Sequence, residues 1–282
     1  MKAEMNVTEM NKRREARLRK ARRRRRMQRI RLASRTVLVA VLLTILGWLL
    51  WDGGILKLPV GSLFDWKTKE EAKTAQVYQN ESGYPQKLLE ALEKNPELEE
   101  FVKGYLTWDG SVSGELSSEE LSQDFPLLMQ YDSRWGYAAY GDDNIALSGC
   151  APTCLSMVII GLTHNTEASP NAVADYAMEK GYYQMGVGTM WSLMTEGCLD
   201  FGVTGREISL DQNVMFKHLE AGEPIICSMR PGDFTTSGHF IVLTGVEDGK
   251  IRVNDPFSRE RSSKLWEYDT LQYQIKNLWA FS

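Results

Sequence analysis

The chain has 282 residues, 33 Lys or Arg, 37 Asp or Glu, and a net charge of only −4. That near balance conceals a division: residues 1–35 hold 15 Lys or Arg against three Glu, a net +12, which leaves −16 for the remainder. There is no Cys-x-x-Cys pair, and His164 and His218 stand alone, which argues against a zinc site, while the anionic remainder argues against direct binding of polyanions.

In chain order, the first unit is a basic arm over residues 1–35. Directly after Arg35, Thr36–Trp51 is uncharged and apolar, sixteen residues long, against the ~20 of a comfortable bilayer span. Arg35 suits snorkelling at one end, and Trp48 and Trp51 suit the opposite interface. A transmembrane helix over residues 36–52 is therefore expected. The alternatives are a buried core helix and a cleaved signal peptide. No small-x-small cleavage site follows the run, and the basic region before it is unusually long. The positive-inside rule then makes 1–35 a cytoplasmic arm and everything after about residue 52 extracellular, in a single-pass membrane protein. The run Arg22–Arg26 is read as setting orientation and binding anionic lipid headgroups, with no nucleic-acid partner.

Residues 53–122 read as an extracellular stalk with short helices near 85–106. Gly53, Gly54, Pro59 and Gly61 open it. Leu88, Leu89 and Leu92 then recur at helical spacing after Pro85, and Leu98, Phe101, Val102 and Tyr105 do so after Asn95-Pro96. This pair is expected to pack on the domain that follows, the other reading being a helical spacer. Residues 107–122, rich in Gly, Ser and Glu, read as a loop.

Residues 123–282 suit one domain. Helices are expected from the Cys150 region through Ile160, from Ser169-Pro170 to Lys180, from Thr189 towards Glu196, and from Asp211 to Ala221. Strands are expected at Pro224–Met229, Gly238–Val246, Lys250–Asn254, Trp266–Tyr268 and Asn277–Phe281, with Glu247-Asp248-Gly249 as a hairpin turn. Helices followed by an antiparallel sheet give the fold class α+β. Gly245–Lys250 superficially looks like a phosphate-binding loop, but it is too short, lacks the Ser or Thr, and joins strand to strand.

The chemistry centres on Leu147-Ser148-Gly149-Cys150-Ala151-Pro152-Thr153-Cys154. Pro152 suits a first helical turn, where its missing N–H costs nothing. Cys150 would then meet the unpaired N–H groups and positive dipole end of that helix, a setting that favours the thiolate. His239 stands beside Gly238 on one expected strand, and Asp255 at the end of the next. Adjacent strands set residues side by side, so Asp255 is placed to fix the tautomer of His239. Cys, His and Asp in this order are the parts of a thiol-peptidase triad. Gln130 with the backbone N–H of Cys150 is the expected oxyanion donor pair.

Four segments carry a family resemblance: Gln130-Tyr131-Asp132-Ser133-Arg134-Trp135 with Tyr140-Gly141, Ser148–Thr153, Gly238–Val242, and Asn254-Asp255-Pro256. Over about residues 125–282 the chain resembles the bacterial family-thirty-nine cysteine peptidases, the group of the bacteriocin-processing peptidases, and within it the stand-alone papain-like branch. The resemblance implies a papain-like fold with Cys150 as nucleophile, His239 as base, Asp255 as orienting residue and Gln130 as oxyanion donor. It implies no metal or organic cofactor, and a peptide or protein substrate. The family usually has Gly after the nucleophile; here Ala151 stands there, and the turn is expected to survive.

Cys154, one helical turn on, is the rival nucleophile but lacks the helix-start position. Cys198 and Cys227 read as buried small hydrophobes, and no pattern supports a disulfide between them. His164 and His218 read as surface residues, and Trp135 and Tyr137 as packing residues near the cleft. The expected activity is hydrolysis of peptide bonds by a membrane-anchored extracellular cysteine peptidase. The rivals are another acyl-transfer enzyme on the same triad, transglutaminase-like or a cell-wall amidase, and a catalytically silent peptide- or surface-binding module on the same fold.

Overall fold

Pro85 and Asn95 punctuate the first ordered segment. The computed structural model describes residues 83–282; the basic arm, the apolar run and the early part of the expected stalk lie outside them. Among the described residues no helix is long and apolar enough to cross a membrane. Helix α1 (Gln86–Lys94) buries Leu88, Leu89 and Leu92 on one stripe. Asn95 ends it and caps the next turn by accepting from the Glu97 N–H at 3.1 Å. A 3-10 turn at Pro96–Leu98 leads into α2 (Glu99–Tyr105), which buries Phe101 and Val102. Both helices share a core with Met129, Tyr131, Tyr137 and Ala146. The pair is thus packed on the following domain, with Phe101 stacked on Tyr137 at 4.1 Å between ring centroids.

Within the expected 107–122 loop, Ser118–Leu121 forms one helical turn held by a reciprocal cap: the Glu120 N–H donates to Ser117 Oγ and the Ser117 N–H to Glu120 Oε2. Helix α3 (Cys150–Thr163) follows a single turn at Ile145–Ser148 that Asn144 caps. Gly149 joins the two so tightly that a Cβ there would meet the Ile145 carbonyl oxygen at 2.6 Å. Every α3 residue from Ala151 to Ile160 is buried, so α3 is a central helix rather than an amphipathic surface one. His164, left-handed at φ 55°, ends it. Helix α4 (Pro170–Glu179) packs beside α3.

The expected helix from Thr189 towards Glu196 is corrected by the structure. Tyr183–Gln184 and Gly188–Thr189 pair as a small hairpin, and Gly186 and Gly188 adopt the positive φ that its turn requires. The Met190 N–H bonds back to the Tyr182 carbonyl at 2.7 Å, and two 3-10 turns follow, Trp191–Met194 and Gly197–Phe201. Then come β1 (Gly205–Glu207), which was not expected, and α5 (Gln212–Glu220), capped by Asp211. The remaining strands are β2 (Ile225–Met229), β3 (His239–Glu247), β4 (Lys250–Asn254), β5 (Leu265–Trp266) and β6 (Ile275–Phe281). Single helical turns at Arg259–Ser262 and Tyr268–Leu271 flank β5, so the expected strand at Trp266–Tyr268 ends at Trp266.

The six strands form one antiparallel sheet in the order β1-β6-β2-β3-β4-β5. Both its faces are covered. Ile226, Val242, Trp279 and Phe281 point into the core that holds α3 and α4. Their neighbours Ile225, Cys227, Ile241 and Leu243 point the other way, onto Met215 and Leu219 of α5. Period-two alternation between two buried faces explains the apolar stretches Ile225–Cys227 of β2 and Phe240–Leu243 of β3. The result is an α+β fold in which α3 runs against the middle of the sheet, close to β3.

Candidate active site

Three elements meet at one end of the sheet. Helix α3 opens with Cys150, a half-buried residue with its thiol free. As the first helical residue, Cys150 sits among N–H groups that have no partner within the helix. Strand β3 opens with His239, 8% exposed. Strand β4, paired with β3, is followed at once by Asp255, fully buried. His239 Nε2 lies 2.7 Å from Asp255 Oδ1. That contact occupies one ring nitrogen and leaves Nδ1 for proton exchange within the cleft that Cys150 and His239 both line.

Electrostatics follow from this packing. Burial alone would lower the His239 pKa, but the Asp255 carboxylate and hydrogen bonding to Cys150 outweigh it and raise it to about 10. Burial would raise Asp255; His239 and then Arg261 hold it below the usual carboxylate range. The other thiols differ in kind: burial pushes Cys154, Cys198 and Cys227 up, and all three are enclosed. Cys198 and Cys227 are free, not bridged.

Gln130 is only 2% exposed. Its Nε2 donates to the Ala146 carbonyl at 2.7 Å and lies 3.5 Å from that of Ile145, while its Oε1 is buried without a partner. It is therefore an interior residue bracing the turn before Cys150, and it is not among the residues lining the cleft. Its backbone N–H bonds the Pro256 carbonyl at 2.8 Å, so it also abuts the segment after Asp255. His164 is exposed, and His218 pairs with Glu223 at 2.6 Å. Trp135 is fully buried and Tyr137 nearly so; neither lines the cleft.

Sequence reasoning missed the residues behind the pair. Arg261 Nε donates to Asp255 Oδ2 at 2.5 Å, and the Phe257 N–H donates to Oδ1 at 2.8 Å. The Asp255 N–H in turn donates to Ser262 Oγ at 2.9 Å. The turn carrying Arg261 and Ser262 is gripped from α1–α2: Glu97 accepts from Ser258 Oγ, Tyr131 Oη and the N–H groups of Arg259 and Glu260, at 3.0, 2.7, 2.9 and 3.3 Å. Asn95 Nδ2 donates to the Phe257 carbonyl at 2.5 Å. The sequence signal was Ser258-Arg259-Glu260-Arg261, a Ser cap ahead of a charged turn, six residues or fewer beyond Asp255.

Cys150 and His239 both line an open cleft of about 1200 Å³, whose walls include Leu147, Met190, Trp191 and Phe240. Among the described residues no cluster of His, Cys, Asp and Glu is arranged to hold a metal ion. A family model, Peptidase_C39 like, matches residues 122–280, more than half of the sequence. The chain belongs to the Peptidase_C39 like family. Membership puts it among cysteine-peptidase-like hydrolases. Two solved structures are similar to it. One is the peptidase domain of Streptococcus ComA, a bi-functional ABC transporter involved in quorum sensing, at 17% identity and a TM-score of 0.33, covering 52% of this chain and 96% of that one. The other, from Bacillus anthracis and described as a C39-like peptidase, has 14% identity and a TM-score of 0.32, covering 55% and 94%. No curated protein matches this chain. The helix pair α1–α2 lies before the matched residues, yet it contributes the Glu97 grip.

Proposed function

We propose that this chain is a membrane-anchored extracellular cysteine peptidase that hydrolyses peptide bonds through Cys150, His239 and Asp255. The observation that carries the reading is the opening of one cleft onto a helix-start thiol beside an imidazole whose far nitrogen is held by a buried carboxylate. The anchor over 36–52, the cytoplasmic arm over 1–35 with its anionic-lipid contacts, and the bacterial cell-surface location rest on the sequence alone.

The Cys150 thiolate attacks the substrate carbonyl carbon, forming a C–S bond while the π electrons move to oxygen. The oxyanion takes the Cys150 N–H, while Gln130, whose amide is turned to the Ala146 and Ile145 carbonyls, braces the turn behind it. The His239 imidazolium gives its Nδ1 proton to the departing nitrogen and the C–N bond breaks. Water then attacks the acyl-enzyme, His239 takes its proton, and C–S cleavage restores the thiolate. Asp255 keeps the ring oriented throughout.

The test treats the protein with limiting iodoacetamide across pH 5–9, maps the label, and follows peptide-library cleavage by mass spectrometry. Dominant Cys150 labelling near pH 6, lost in His239→Ala, together with hydrolysed peptides, is the expected result. Labelling that rises only near an ordinary thiol pKa of about 8.5, with no cleavage, sinks it. Cross-linked rather than hydrolysed products indicate the transglutaminase-like rival.

A further inference from the structure

The cleft reverses the charge of the domain that carries it. Residues 83–282 hold 29 Asp or Glu against 14 Lys or Arg, yet the charged residues lining the cleft beside His239 are Arg230 and Lys276, with no carboxylate. Sheet register explains where they stand. Strands β6, β2 and β3 are neighbours, Ile275 pairs with Met229, and Met229 pairs with His239. Arg230 follows Met229 and Lys276 follows Ile275, so both cations stand at the His239 end of the sheet. They lie one and two strands away, roughly 5 and 10 Å at the usual strand spacing.

Both side chains are exposed, and among the described residues neither takes part in an ion pair. The Lys276 ammonium sits 5.2 Å from the centre of the Trp191 ring. That contact steadies it over the cleft wall while leaving its N–H donors unused. The same wall exposes apolar surface: Val187 is 68% exposed, and Met190 and Trp191 38% each. Bare apolar side chains next to unpaired cations along a cleft describe a ligand that is apolar in one place and anionic in the next.

We propose that the cleft selects extended peptide segments bearing a carboxylate side chain two or three residues from the bond under attack, next to an apolar residue, with Arg230 and Lys276 as the selecting groups. The spacing follows from about 3.3 Å per extended residue. The inference rests on the peptidase reading of the same cleft.

Binding is separated from turnover by using the full chain with Cys150→Ala. Fluorescein-labelled decapeptides share one Gly, Ala and Leu frame and carry Glu, Gln or Lys at the third position from the centre; each is titrated by anisotropy. The Glu peptide is expected to bind about threefold to tenfold tighter than the Gln peptide, and the Lys peptide weaker than both. The order inverts in Arg230→Glu/Lys276→Glu and flattens near 1 M salt, where screening reaches ~3 Å. Single Arg230→Gln and Lys276→Gln variants each reduce the preference, should the double variant fold poorly. Equal affinities, no binding, or a preference that survives the substitutions overturns the proposal; the last outcome assigns it to the basic arm, which every variant retains. Cleavage by the unsubstituted chain is read separately. Ordered binding without cleavage removes the peptidase reading and leaves charge selection standing, whereas cleavage without ordered binding does the reverse.

Discussion

Glu97→Ala is the most informative single substitution, because Glu97 lies outside the family-matched residues and does not line the cleft. Four donors converge on its carboxylate: two hydroxyls and two backbone N–H groups at the start of the Arg259–Ser262 turn. A hydrogen bond to a charged group contributes about 1.5–3 kcal/mol when enclosed. Glu97 is half-exposed, so water replaces part of that, and about 2–3 kcal/mol in total is expected. For a domain of this size the melting temperature falls by roughly 5–10 °C. Burial would raise the Glu97 pKa, but the Arg259 N–H, Tyr131 and the other donors hold it below the usual range. Its contribution is thus complete above the unfolded carboxylate pKa and lost as pH falls through the folded one, so the gap between wild type and variant closes in acid. The second consequence is chemical. Once the turn frays, Arg261 and Ser262 no longer brace Asp255, and Cys150 alkylation at pH 6 is expected to slow about tenfold, a loss of orientation worth ~1.4 kcal/mol. Glu97→Gln, which keeps one carbonyl acceptor, retains part of both. A drop in melting temperature with an unaltered pH profile of alkylation would refute the link to Asp255, and an unaltered melting temperature would refute the grip itself.

Three further outcomes are expected. Asp255→Asn lowers peptide hydrolysis by about 10²–10⁴-fold, because an amide permits the wrong imidazole tautomer; steady-state kinetics within tenfold of wild type count against the triad. His239, raised to about 10 from its ordinary 6.5, contributes stability that is complete below the unfolded value and lost as pH climbs through the folded one. The melting temperature therefore declines between about pH 6.5 and 10, and this slope is reduced in His239→Gln; an identical slope in both contradicts the assignment. Gln130→Ala unbraces the Ile145–Ser148 turn ahead of Cys150, so kcat and Cys150 alkylation are expected to fall together; loss of kcat with alkylation spared would instead make Gln130 an oxyanion donor.

What was legible in the sequence is what local rules dictate. Largely apolar runs of strand length gave β2 and β3, and the alternation of Ile251 and Val253 with Lys250 and Arg252 gave β4, nearly to the residue. Asp211 ahead of a helical pattern gave α5, and Pro170 gave the start of α4. The short strand β1 and the Tyr183–Thr189 hairpin were not legible. Two or three residues carry too little periodicity, and these pairings are fixed by tertiary contact, as when Gly205 approaches the Met194 carbonyl so closely that a Cβ would sit 1.8 Å from it. The site divides the same way. Cys150, His239 and Asp255 announce themselves by residue type and by their places at element ends. Glu97 does not, since a Glu in Asn-Pro-Glu-Leu is an ordinary helix-start residue until the fold sets it against residues 258–260, more than 160 positions away. That distance is itself informative. A fully buried carboxylate such as Asp255 needs its remaining lone pairs filled, and a short turn such as Arg259–Ser262 cannot hold itself in place to do so. The rigidity is borrowed from α1 and α2, which makes the helix pair preceding the family-matched residues part of the site's support rather than a spacer.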